Sequence, residues 1–240
     1  MTLSDLHKAI TTQQQAVRLI PDGHHHKPEC LNDLGISFLR RYGALGDIVD
    51  LDEAITFQQR AEAGHPHKPA NLNNLGISFL RWSERLGNIV DINQAIAAQQ
   101  EAVRLTPDGH PHKPIFLNNL AKLFRRRSER LDDVADFDEA IAAQQQAVSL
   151  ISDGYCNKTG YLHDLGFSLH RRFEDLGNIA DLDEAIAVQQ KAARLASDGH
   201  TDKPACLNSL AVFPFRRFDH ASDIARSQRC DQGSGRGYPP

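Results

Sequence analysis

Asp-Leu-Asp-Glu-Ala-Ile at residues 50–55 returns as Asp-Ile-Asn-Gln-Ala-Ile at 91–96, as Asp-Phe-Asp-Glu-Ala-Ile at 136–141 and unchanged at 181–186. A weaker copy, Asp-Leu-His-Lys-Ala-Ile, stands at 5–10. Working outward from this word, a second one appears. Leu-Asn-Asp-Leu-Gly at 31–35 returns in variant form at 72–76, 117–121, 162–166 and 207–211. The period is 45 residues, except in one copy of 41 that lacks four residues ahead of Gly64-His65-Pro66. Self-similarity at a fixed period of this length marks a repeat architecture, with one supersecondary unit per copy.

Each word opens a helix. Asp50, Asp91, Asp136 and Asp181 stand where an N-cap belongs, and Glu53, Gln94, Glu139 and Glu184 follow at capping-box spacing. Behind the cap, Ile92, Ala95, Ile96, Ala102 and Val103 fall on one helical stripe. That helix is expected to end near Leu105, where Thr106-Pro107-Asp108-Gly109 supplies turn chemistry. His110-Pro111-His112-Lys113-Pro114 carries the chain into another helix, with Leu117, Leu120, Ala121 and Phe124 on its buried face. The fold class read from this pattern is all-α: tandem helix-turn-helix units forming an α-solenoid superhelix. Neither helix of a unit can bury its apolar face alone, so neighbouring copies must stack.

The residues at the helix contacts carry a resemblance. Leu34-Gly35 with Phe38, then Ala54 and Ala61, resembles the tetratricopeptide pattern of small residues with an aromatic one turn on. Leu75-Gly76, Phe79, Ala95, Ala102 and Pro107 repeat it. Gly109-His110-Pro111 and the Leu72–Gly76 word are similar to the longer repeats of kinesin light chains. They are also similar to fungal arrays that precede CHAT domains. The resemblance spans residues 4 to about 217. It implies a protein-interaction scaffold that takes a peptide on a concave face lined by the first helices. The alternative is a regulatory or sensor part of a larger CHAT-protease-like effector, without activity of its own.

Two departures from the family pattern lead to expectations. Gly35 and Ala54 are 19 positions apart, which predicts a long first helix and an ordered turn with Ile48-Val49 or Ile89-Val90 against the core. Gln58, Gln99, Gln144 and Gln189 stand where the second helix usually has an aromatic, which predicts a looser seam. The pattern also predicts domain limits. A repeat array fills 1–218, with complete units over about 28–200 and half units at both ends, and residues 219–240 form a disordered tail. Pro214, at the position of Phe38, Phe79 and Phe124, is expected to damage the last helix. The abrupt loss of pattern there is what a fragment of a longer array, or a lost reading frame, would give.

Within the first helices, Asn32, Asn73, Asn118 and Asn208 recur at one position, with His163 in the fourth copy. Asn74 and Asn119 stand at a neighbouring position, where Asp33, Asp164 and Ser209 depart. The family resemblance implies that such amides clamp a peptide backbone, which suits a group that donates and accepts at once. They could equally satisfy loop carbonyls between repeats. Arg40, Arg81, Arg126, Arg171 and Arg216 form a second ladder, thickened by Arg41, Arg125, Arg127, Arg172 and Arg217. This is either an anion-selective stripe, or a set of inter-repeat ion pairs to the Asp and Glu of the next cap, or a favourable charge near a helix C-terminus.

Composition bounds the rest. A net charge of −4 and a pI near 6.3 argue against nucleic-acid or membrane-surface partners. Four scattered cysteines without a C-x-x-C pair read as reduced thiols, and the amphipathic N-terminus reads as the start of a helix, so no signal peptide is expected. A cytoplasmic protein is expected. The loop histidines (His24-His25-His26, His65 and His67, His110 and His112) lack carboxylate or thiol partners at ligand spacing, so no metal or cofactor is expected. Nucleophile-elbow, phosphate-loop and zinc-protease motifs are absent, so no enzyme activity is expected either.

Overall fold

In the computed structural model, residues 2–61, 68–155, 157–197 and 199–234 are described, the side chains of 221 and 223–234 excepted. These residues form ten helices and no strand. They are α1 (Leu3–Leu19), α2 (Lys27–Leu45), α3 (Ile48–Arg60), α4 (Lys68–Leu86), α5 (Ile89–Leu105), α6 (Lys113–Leu131), α7 (Ala135–Ser149), α8 (Lys158–Leu176), α9 (Ile179–Leu195) and α10 (Lys203–Ser234). Even-numbered helices are the first helices of the repeats and odd-numbered ones the second. The chain divides into two compact units, Met1–Leu150 and Ile151–Pro240. None of the described helices is long and apolar enough to cross a membrane.

A first helix starts on Lys-Pro, where proline's missing N–H costs nothing, at Pro28 and Pro114. It runs 19 residues and stops at a left-handed residue, Gly46 (φ 71°), Gly87 (φ 77°) or Gly177 (φ 68°). In the third complete copy Asp132 takes that conformation (φ 51°). The expected inter-helix turn is therefore only two residues long in three copies, and the extra length of the repeat goes into the helices. Ile89 does pack against the core, but Val49 and Val90 are exposed, because they sit on the outer side of the first turn.

In α3, α5 and α9 the cap lies three residues before the word that seemed to supply it. Asp47, Asn88 and Asn178 are the N-caps, each accepting from the backbone N–H two residues on at 3.0–3.1 Å. Asp50, Asp91, Asp136 and Asp181 lie inside the first turn and are buried. The repeated Asp is therefore a residue of the first turn and not the cap expected of it.

In the first unit each helix packs on its neighbours in sequence. First helices also touch each other, α2 with α4 and α4 with α6, whereas among the described residues none of α1, α3, α5 and α7 touches another of that set. The first helices are thus the closely spaced layer, which in a curved stack is the inner one. The core lies between the layers: Leu72, Leu75 and Phe79 of α4 meet Ile92, Ala95 and Ile96 of α5 and Leu117 and Phe124 of α6. In the second unit Leu162, Leu169 and Phe173 of α8, and Leu182 and Ala185 of α9, are buried in the same way.

The glutamine seam is close, contrary to the looser packing expected. Gln58, Gln99, Gln144 and Gln189 are 0–1% exposed. A Cβ at Gly35 would stand 2.7 Å from Gln58 Cγ and 3.0 Å from the Ala54 carbonyl. The glycine is what admits the second helix so near, and the amide fills the space an aromatic ring would take.

The C-terminal end also differs from expectation. The helical backbone of α10 continues past Pro214 and through the segment expected to be a tail, as far as Ser234; residues 235–240 lie outside the described residues. One proline removes one backbone bond and more often kinks a helix than ends it. Residues 215–232 then contain no glycine or further proline.

Candidate functional site

On the inner layer of the first unit, side chains at i, i+3 and i+7 share one helix face. That face reads Asp33, Ile36 and Arg40 on α2, then Asn74, Ile77 and Arg81 on α4, then Asn119, Lys122 and Arg126 on α6. Asn32, Asn73 and Asn118 lie beneath it, 8%, 8% and 4% exposed. Their neighbours explain why. Asn74 Nδ2 donates to Asn32 Oδ1 at 3.2 Å, and Asn119 Nδ2 donates to Asn73 Oδ1 at 2.8 Å. Asn73 Oδ1 also accepts from Gln99 Nε2 at 3.1 Å, and the same Nε2 reaches the Phe116 carbonyl of the next first helix at 2.9 Å. Amides of three successive repeats are therefore tied to one another. In the second unit His163 stands in for the asparagine, with Nδ1 2.6 Å from Gln189 Nε2. Asn74 and Asn119 remain half-buried at the surface.

The arginine ladder divides into two rows with different partners. Among the described residues, Arg40 and Arg81 are exposed and make no hydrogen bond or ion pair. Arg126 pairs with Glu129 on its own helix at 3.2 Å and approaches Glu84 of α4 at 3.7 Å. Arg171 pairs with Glu174 at 2.6 Å. The adjacent row is structural. Arg41 grips Asp50 at 2.6–3.0 Å, Arg127 grips Asp136 at 2.7 Å, and Arg172 grips Asp181 at 2.7–2.9 Å, each through two guanidinium nitrogens. The ion pairs expected for the ladder were between repeats, whereas those of this row link the two helices of one repeat.

In the second copy Trp82 occupies the register of Arg41 and Arg127, and Asp91 loses its clamp. Its Oδ2 is buried without a hydrogen-bond partner, and burial pushes the carboxyl up from its ordinary range. A raised folded-state pKa means a contribution that is fully present below the unfolded value and lost as pH rises through the folded one. Asp91→Asn is accordingly expected to stabilise the protein by about 1 kcal/mol at neutral pH, with the gain vanishing toward pH 3. Urea melts of both proteins at the two pH values check this; equal gains at both would contradict it.

A lysine that the sequence reading passed over as part of the loop proves to be a repeated clip. Lys113 is 7% exposed, and its Nζ donates to the carbonyls of Val103 at 2.8 Å and Thr106 at 2.6 Å, with Asp108 at 3.4 Å. Lys27 does the same to Val17 and Ile20, and Lys158 to Ile151. An ammonium at the end of a helix satisfies its last carbonyls and opposes its dipole. The available signal was the constancy of Lys27, Lys68, Lys113, Lys158 and Lys203 at the start of each first helix.

The loop histidines have a backbone role. His24 and His110 each accept, through Nδ1, the N–H two residues on, at 3.2 and 3.1 Å. His65 and His67 lie outside the described residues. Among the described residues no three His, Cys, Asp or Glu side chains are grouped to share an ion. The Cys206 thiol is pushed up to about 11 by burial, which disfavours the nucleophilic thiolate.

Stacked two-helix units with glycine or alanine at the helix crossing define a tetratricopeptide-like repeat array of the α-solenoid class. No family model and no curated protein matches the sequence. Solved structures do match. BtubC (BKLC) from P. vanneervenii has a TM-score of 0.66 at 14% identity, over 100% of this chain and 95% of that one. A kinesin-light-chain candidate from Podosopora anserina with nearly identical TPR-like repeats has a TM-score of 0.59 at 14% identity, over 90% and 100%. MamA has a TM-score of 0.56 at 18% identity, over 80% and 89%. At such identities the likeness concerns the fold alone.

Proposed function

We propose that the protein is a non-catalytic interaction scaffold whose first unit binds an extended peptide carrying acidic side chains along the inner layer. The observation that carries this is the pair Arg40 and Arg81, exposed cations without a partner among the described residues, beside half-exposed Ile36 and Ile77 and the surface amide Asn74. Unneutralised guanidinium groups on a periodic face are suited to carboxylates, which they grip bidentately. The isoleucines offer apolar contact between them, and Asn74 and Asn119 can meet a main chain. Asn32, Asn73 and Asn118 serve this surface from beneath, holding the outer amides in register. Arg126 and Arg171, already paired with Glu129 and Glu174, contribute less.

The test is fluorescence anisotropy with a panel of labelled extended peptides, acidic, neutral and basic. Acidic peptides should bind best, and Arg40→Ala with Arg81→Ala should weaken them at least tenfold while leaving the melting temperature unchanged. Asn74→Ala with Asn119→Ala should weaken acidic and neutral peptides alike. Retention of full affinity in the double arginine variant would refute the assignment.

A further inference from the structure

The helix α10 presents to solvent side chains whose counterparts in the preceding repeat are covered. Leu207 is 51% exposed and Phe218 69%; their counterparts one period earlier, Leu162 and Phe173, are 2% and 6% exposed. Pro214 and Phe218, with Ile179 of α9, edge an open cavity of about 730 Å³. In register, this is the face that a first helix turns toward the second helix of its own repeat.

The complementary face is on α1, which is a second helix by register. Ala54, Ala95, Ala140 and Ala185 are fully buried in the complete repeats. Ala9, in the same register, is only half-buried, as are Gln13 and Ala16. Gln13 is the counterpart of Gln58, which fits over Gly35; the corresponding small residue on α10 is Ala211, and it is exposed.

Charge gives an independent indication. Arg127 on α6 reaches two ways, to Asn93 of the preceding second helix at 2.9 Å and to Asp136 of its own repeat at 2.7 Å. Arg217 on α10 makes the first contact only, with Asp183 at 2.8 Å. Position 226, where its own carboxylate would stand, is arginine. On α1 the residue in that carboxylate register is Asp5, which is exposed and uses Oδ2 for the Thr2 N–H at 2.8 Å.

We propose that α1 of one molecule docks on α10 of a second copy, completing a two-helix repeat across the interface, with Asp5 on Arg217 and Gln13 over Ala211. The contact is heterologous: each molecule uses one face and leaves the other open, so association propagates head to tail.

The experiment is sedimentation equilibrium of the full 240-residue chain from micromolar to millimolar concentration, with the fold checked by circular dichroism. The average mass should rise with concentration beyond that of a dimer. Phe218→Asp, which spoils the α10 face, and Ala9→Arg, which spoils the α1 face, should each weaken association at least tenfold. An equimolar mixture of the two variants should form a 1:1 dimer and nothing larger, because one intact face of each kind remains. Asp5→Arg should weaken assembly, and adding Arg217→Asp should restore it. A chain that stays monomeric throughout overturns the proposal. So does an Ala9→Arg variant that assembles like the parent, since that outcome means α10 pairs with α10.

Discussion

Replacing Arg127 by Met is expected to cost about 2–4 kcal/mol of folding stability, because it leaves the Asp136 carboxylate in place and unpaired. Asp136 is 6% exposed at its side chain, and both its oxygens are held by Arg127, at 2.7 Å. The guanidinium also bridges to Asn93 in the preceding repeat at 2.9 Å and lies over the Phe124 ring at 5.6 Å. Methionine keeps much of the stem packing, so the loss reports the clamp. Arg127 itself is 26% exposed, which puts the figure below the full cost of breaking a deeply buried pair. The double variant Arg127→Met, Asp136→Asn should recover a large part of the loss, since no charge is then stranded. Urea unfolding of the two single variants and the double variant gives the coupling energy; a coupling near zero would mean the pair contributes nothing. The second copy is a natural control, for Trp82 has already removed the arginine there and Asp91 retains the unpaired oxygen.

Lys113→Met is the second change expected to be large, at about 2–3 kcal/mol. The ammonium satisfies two main-chain carbonyls at the end of α5, those of Val103 and Thr106, at 2.8 and 2.6 Å. Those carbonyls close the C-terminal end of the helix, where regular intrahelical donors run out; the Val103 carbonyl otherwise accepts only the N–H of the cap residue Thr106, at 3.2 Å. Methionine matches the length and apolar stem of lysine but donates nothing, so both acceptors lose a charged partner. Amide hydrogen exchange should quicken at the α5–α6 connection, residues 106–112, more than in the middle of α4. A uniform rise across the first unit would point to global destabilisation instead. Thermal melts give the overall loss.

Both predictions concern residues whose roles were only partly legible. Aspartate three residues ahead of glutamate has capping spacing, so the repeated Asp carries the local signature of a cap. The alternative, a cap three residues earlier with the repeated Asp clamped by an arginine nine residues back, needs two helices antiparallel and in register. The lysine looks like an ordinary polar residue of a connection, and only its burial sets it apart from a surface cation. The asparagines and arginines recur at fixed positions of the sequence, but which members face inward depends on helix rotation. Asn73 and Asn74 are adjacent in sequence, yet one is buried and the other lies at the surface.

What the sequence alone determined was the repeat: its period, the two helices per unit, the buried stripes and the small residues at the crossings. These are set by local propensity and by an apolar pattern that only stacking can bury, and both are written in consecutive residues. Only the tertiary structure decided which polar side chains bind one another and which face solvent. Arg40 and Arg41 have the same chemistry and adjacent numbers, but a rotation of about 100° around the helix axis separates an exposed cation from one clamped on Asp50.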